Sequence, residues 1–119
     1  MPLKRLLIAV LVLCPLLLLP RPALAHAHLV SSSPAANATV PGPDVAIDLK
    51  FNSRVTTKGS MITLVLSSGQ TQRLTLGSQS SETNLGAHAH IKPGSYTLRW
   101  QALSTDGHIT RGEIPFTVR

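Results

Sequence analysis

The feature that most constrains the fold is an apolar side chain at every second position in four separate stretches of the chain. Successive side chains of a β-strand point to opposite faces, so each stretch predicts a strand with one face turned toward a core. The stretches are Val45, Ile47, Leu49 and Phe51; Ile62, Leu64 and Leu66; Tyr96, Leu98, Trp100 and Ala102; and Ile114, Phe116 and Val118.

Turn signals separate these stretches at Pro41-Gly42, Ser68-Gly69 and Pro93-Gly94. Three shorter strands are predicted at 28–32, 72–76 and 84–90, and nothing after residue 25 has the 3.6-residue apolar period of a helix. About seven short strands in fewer than 100 residues favour an all-β fold, either an immunoglobulin-like β-sandwich or a small Greek-key barrel. Trp100 lies on an apolar face and is expected to anchor the core.

The first 25 residues have the pattern of a cleaved secretory signal peptide. Lys4 and Arg5 precede an apolar run over 6–19, and the small-residue site Ala23-Leu24-Ala25 follows. The run has about fourteen residues, fewer than the roughly 20 of a membrane-spanning helix, although an uncleaved membrane anchor is the alternative. We therefore predict cleavage after Ala25, export to an oxidising compartment and a single domain over 26–119.

Cleavage would change the inventory of reactive and charged groups. Cys14, the only cysteine, would be lost, which excludes a disulfide, a disulfide-linked partner and any thiolate chemistry in the exported domain. Three of the eleven basic residues also lie before position 26, so eight would remain against five acids, a net charge of +3. Because these eight are scattered and not interleaved with aromatic residues, nucleic-acid binding is not expected.

Cleavage after Ala25 would also give His26 a free amine beside its own imidazole, and these two groups can chelate one metal ion. Asp106-Gly107-His108 offers a carboxylate and a second imidazole one residue apart. Together they make an N₃O set, which suits tetragonal Cu(II). The chain has five histidines but only two methionines, Met1 and Met61, which favours a borderline ion over Cu(I).

Other interpretations of the histidines remain open. As the third residue after the cut, His28 could bind Cu(II) or Ni(II) in a square plane with the amine and two deprotonated backbone amides. Asp106 and His108 could instead belong to an ordinary turn, with the carboxylate capping its own backbone. His88 and His90 would share one face of a strand, either as a second metal site or as solvent-facing residues.

The sequence resembles the CopC/PcoC copper-resistance family over essentially the whole predicted domain. The most specific matches are the histidine directly after the signal site and the Tyr-x-x-x-Trp…Ser-x-Asp-Gly-His string. The matching segments are His26-Ala27-His28-Leu29, Ser33-Pro34-Ala35, 45–51, 93–100, 104–108 and 112–118.

This resemblance implies a periplasmic, cupredoxin-like Greek-key β-barrel that binds one Cu(II) ion per chain. It assigns His26, Asp106 and His108 as ligands, and His28 as a residue beside them. The methionine-rich run of some members is missing, which implies the subtype with a single Cu(II) site. Many members have an acid after Phe-Ser, but this chain reads Phe51-Asn52-Ser53-Arg54, so no further carboxylate ligand is assigned.

The predicted function is Cu(II) sequestration, transport or resistance without catalysis. The resemblance also implies delivery of copper to an inner-membrane importer of the CopD type. Two alternatives remain, a histidine-brace copper monooxygenase and a metal-free structural domain of immunoglobulin-like fold. The enzyme would need an aromatic platform for a polymer, whereas Phe51, Tyr96, Trp100 and Phe116 all lie on core-patterned strands.

Overall fold

The computed structural model describes residues 26–119, so the predicted signal peptide at 1–25 lies outside the described part. Within 26–119 the regular structure is entirely β, and no helix there could cross a membrane. The eight strands are β1 (Leu29–Ser33), β2 (Thr39–Val40), β3 (Asp44–Phe51), β4 (Val55–Leu66), β5 (Thr71–Leu74), β6 (Asn84–His90), β7 (Gly94–Ser104) and β8 (Ile109–Val118).

The strands form two sheets, which confirms the prediction of an all-β sandwich. One sheet has the order β1-β3-β6, and the other has the order β2-β8-β7-β4-β5. The chain changes sheet after β1, β2, β3, β5 and β6, so both sheets draw on the whole length of the domain. All pairings are antiparallel except that of β2 with β8.

The core lies between the sheets and contains the residues that alternate in the sequence. In β3, Val45, Ile47, Leu49 and Phe51 are buried and the other four residues of the strand are exposed. Trp100 is a core residue as predicted, because its ring meets Phe51 edge to face with centroids 5.3 Å apart. Burying one such side chain contributes about 1.5–3 kcal/mol to folding, so this alternation is the main source of stability.

All seven predicted strands are present, but the structure corrects their number and several of their bounds. The two-residue β2 was not predicted, and β1 begins one residue later than expected. The prediction for 72–76 is corrected to Thr71–Leu74, with Leu76 in an isolated bridge. β4 begins at Val55, before the predicted stretch that starts at Ile62, and its first part was not predicted because a register shift between Thr56 and Met61 interrupts the apolar alternation.

β7 and β8 extend beyond their apolar stretches to Ser104 and Ile109. Backbone pairing to each other carries them to the end of the sandwich, where more buried and more exposed positions still alternate although the side chains are no longer all apolar. The hairpin that joins them therefore projects at the end where β3 finishes. The N-terminal segment reaches the same end, because Leu29 of β1 pairs with Phe51, the last residue of β3.

Candidate metal centre

His26, Asp106 and His108 come together at this end of the sandwich. Each offers one potential ligand atom, and these atoms all lie within 4.8 Å of one another. The His26 and His108 rings lie 4.3 Å apart between centroids, at an interplanar angle of 64°. Within residues 26–119, no other group of three histidine, cysteine or acidic residues meets this distance.

The turn between β7 and β8 presents two of the three side chains. The Gly107 N–H donates to the Ser104 carbonyl and the Ser104 N–H donates to the His108 carbonyl, each at 2.9 Å. Gly107 has a φ of 89°, a left-handed conformation that glycine adopts without the Cβ penalty of other residues. This glycine lets the chain reverse within the tripeptide, so that Asp106 and His108 reach the same point.

Hydrogen bonds within the turn keep the Asp106 carboxylate ionised. The Ser104 hydroxyl donates to Asp106 Oδ1, and the His108 backbone N–H donates to the same oxygen at 3.1 Å. With a smaller contribution from the His108 imidazole, whose Nδ1 lies 3.2 Å from Oδ2, they lower the pKa of Asp106 to about 2. The turn therefore presents a full negative charge to a cation at neutral pH. Asp106 also caps its own backbone, as the ordinary-turn interpretation expected.

The N-terminal segment is held by hydrogen bonds at His28 and at Ala27, which is fully buried. The Thr110 hydroxyl donates to the Ala27 carbonyl at 2.7 Å. The His28 N–H donates to Asn52 Oδ1 at 2.8 Å, and the Asn52 N–H donates to the His28 carbonyl at 3.0 Å. These bonds to β8 and to the end of β3 fix the direction from which His26 approaches the turn.

The hydrogen bond between His28 and Asn52 also argues against the square-planar complex at the N-terminus. A square-planar complex centred on His28 would need that residue's backbone nitrogen, deprotonated, as a ligand. In this structure the same nitrogen is protonated and its N–H donates a hydrogen bond to Asn52 Oδ1. Its imidazole lies 6.5 Å from the ring of His26 and is not part of the group of three. The fold thus favours His28 as a neighbour of the candidate ligands.

The other two histidines lie elsewhere. His88 and His90 are exposed on β6, in the three-stranded sheet, and the structure does not bring them to the group of three.

Three polar residues that support the group were not predicted as site residues. Ser104 is 4% exposed and lies two positions before Asp106, a spacing that could have indicated a turn hydrogen bond. Thr110 and Asn52 act on the N-terminal segment across 83 and 24 positions respectively, and such contacts leave no local pattern in a sequence.

The chain matches a known protein family over most of the described residues. The family model described as "CopC domain" matches residues 29–119. Protein YobA of Escherichia coli strain K12 is 35% identical over 100 residues, which cover 80% of either chain. The copper transport protein CutJ of Bacillus subtilis strain 168 is 27% identical over 111 residues, covering 87% of this chain and 20% of CutJ.

Two solved structures share the fold over most of the chain. The crystal structure of CopC from Methylosinus trichosporium OB3b has a TM-score of 0.70 and 31% identity, covering 78% of this chain and 93% of that one. PcoC from Escherichia coli, described as a methionine-rich copper resistance protein, has a TM-score of 0.68 and 27% identity. The match covers 80% of this chain and all of PcoC.

Proposed function

The chain belongs to the CopC family, and from that premise we propose that it binds one Cu(II) ion in the periplasm for sequestration, transport or resistance. The observation that carries the proposal is the convergence of His26, Asp106 and His108 at one end of the sandwich. A metal-free structural domain would have no need of this convergence.

The proposed ligands are the His26 amine and imidazole, the His108 imidazole and the Asp106 carboxylate. Cleavage after Ala25 would create the amine, which closes a chelate ring with the imidazole of the same residue. Three nitrogens and one oxygen suit Cu(II), whereas Cu(I) prefers thioether and thiolate donors. An oxidising compartment is consistent with the cupric ion.

The solvent exposure of His108 and Asp106 supports a role as a carrier or a store of copper. The His108 side chain is 51% exposed and that of Asp106 is 24% exposed, so an ion held there could be exchanged without unfolding the domain. CutJ, a copper transport protein, includes a similar domain in a chain about five times as long. That arrangement supports the proposal that this domain passes copper to an inner-membrane importer of the CopD type.

We propose no catalytic activity for the copper-loaded protein. A histidine-brace monooxygenase needs a platform for its substrate, and the aromatic side chains of residues 26–119 pack in or against the core. The copper-loaded protein should therefore release no oxidised fragments from a polysaccharide in the presence of ascorbate. Release of such fragments would favour the enzyme.

Electron paramagnetic resonance of the exported protein tests the proposed binding directly. One equivalent of Cu(II) should give a single tetragonal signal with hyperfine structure from nitrogen ligands. Addition of copper that leaves only the spectrum of the free ion would contradict the proposal.

A further inference from the structure

A second group of metal-binding side chains lies on the outer face of the three-stranded sheet. Along β6, Ala87 and Ala89 are buried against the core, and His88 and His90 alternate with them on the exposed face. Because side chains two apart on a strand share a face, both imidazoles project from the same surface. Neither histidine takes part in the candidate metal centre.

The register of β3 against β6 adds a carboxylate to this surface. Asp44 pairs with His90, and His90 Nδ1 lies 3.0 Å from Asp44 Oδ1. The two side chains are 89% and 76% exposed, so their pairing contributes little to folding stability. The small Ala46 lies opposite His88, which leaves space for that ring to turn toward His90.

We propose that His88, His90 and Asp44 form a second, weaker binding site for a borderline divalent cation such as Cu(II) or Zn(II). Residues two apart on a strand are separated by about 6.6 Å, and imidazoles leaning toward each other from that spacing can share one ion at about 2.0–2.1 Å. Asp44 supplies an oxygen from the neighbouring strand, and two imidazoles with a carboxylate suit these ions.

This site is weaker than the first because it is not already assembled. In the described part of the chain, only His26, Asp106 and His108 have three potential ligand atoms within 4.8 Å of one another. At the second site the Asp44–His90 pair is in place, but the exposed His88 must change rotamer to join it. No free amine contributes a chelate ring, so the ion would keep several water ligands.

The two sites lie at opposite ends of the three-stranded sheet. Asp44 is the first residue of β3, and Phe51, which pairs with Leu29 near the first site, is the last. Seven residue steps separate them, or about 23 Å along the strand. Ions at this distance in water are largely screened from each other, so the two sites should bind independently.

Calorimetric titration of the exported protein with Cu(II) tests the second site. The unmodified protein should bind two equivalents with different affinities. His88→Gln and Asp44→Asn should each weaken only the second equivalent, by about tenfold or more. Glu113→Gln makes the same charge change as Asp44→Asn on the other sheet and should leave both equivalents unchanged.

Two results would overturn the proposal. One is a titration that ends at one equivalent, and the other is a second equivalent that survives His88→Gln and His90→Gln together. His108→Ala separates this proposal from the first, because it should weaken the tighter equivalent and leave the weaker one intact. All of these substitutions replace exposed side chains, and thermal unfolding of each variant would verify that it is folded.

Discussion

The imidazole rings of His26 and His108 lie 4.3 Å apart, although one comes from the start of the described chain and the other from the β7–β8 hairpin. Two features of the fold bring them together. The pairing of Leu29 with Phe51 carries the N-terminal segment to one end of the sandwich, and β7 and β8 carry the hairpin there. The proposed copper site is therefore a consequence of strand length and register.

Substitution of the histidines should distinguish the two possible geometries at the N-terminus. His108→Ala removes a proposed ligand and should weaken Cu(II) binding by about 100-fold or more, whereas His28→Ala should change it by less than about tenfold. Competition with a chromophoric chelator would measure both affinities. If His28→Ala proved the more damaging, the complex built from backbone amides would be the better description.

The Thr110 hydroxyl should matter for copper although it is not a proposed ligand. Thr110→Val keeps the shape of the side chain but removes the hydrogen bond to the Ala27 carbonyl, which loosens the approach of His26 to the turn. We expect about tenfold weaker Cu(II) binding in the same competition assay, the size typical of residues that orient ligands. Thr97→Val, on the same sheet, is the matched control and should bind as the unmodified protein does.

The fold could be predicted from the sequence where side chains alternate and could not where backbone pairing alone defines a strand. The apolar positions of β3 predicted both the strand and its buried face. β2 is two residues long and parallel to β8, too short to show any period. The first part of β4 was missed because the shift near Gly59, which has a φ of 87°, breaks the alternation.

The candidate site, like the fold, could be predicted from the sequence only in part. His26, Asp106 and His108 could be proposed because their donor groups suit copper, and their role as ligands remains a prediction. Thr110 and Asn52 could not be proposed, since a hydroxyl or an amide acquires its role only when the fold brings it to a backbone group far along the chain.

The pKa of Asp106 should be measurable in the copper-free protein. The Ser104 hydroxyl and the His108 N–H favour the carboxylate, so its titration by carbon NMR should have a midpoint at about 2, below the ordinary value of about 3.9. Ser104→Ala should raise that midpoint. Because the pKa is lower in the folded state, the stabilisation is complete above about pH 4 and is lost as the pH falls through about 2. A midpoint near 3.9 in the unmodified protein would contradict the hydrogen-bonded turn.

The affinity for Cu(II) should fall in a less acidic range than the one in which Asp106 titrates. Asp106 stays ionised in mild acid, so the loss of Cu(II) should follow protonation of nitrogen donors, and imidazoles ordinarily titrate near pH 6.5. Affinity measured between pH 8 and 5 should therefore fall as the pH passes below about 6.5. A constant affinity across this range would exclude histidine and amine ligands.

The stability of the protein should depend on the absence of a side chain at Gly112, because Trp100 packs directly against this position. A Cβ at this position would lie 2.5 Å from Trp100 Cζ2 and 2.7 Å from Cε2, and the indole is buried. We expect Gly112→Ala to lower the free energy of unfolding by about 1–3 kcal/mol, measured by urea denaturation. Gly77→Ala is the control, because its Cβ would meet only the Gly86 carbonyl at 3.8 Å. Equal stability of the two variants would show that the core can absorb the added methyl group.

The most direct test of the proposed site compares the protein beginning at His26 with the same protein carrying one additional N-terminal methionine. N-terminal sequencing of the exported protein would first identify the natural terminus, which we expect to be His26. Because the additional residue converts the proposed amine ligand into an amide, it should weaken Cu(II) binding by about 100-fold or more. Equal affinity of the two forms would contradict a site in which His26 binds copper through its amine and its imidazole together.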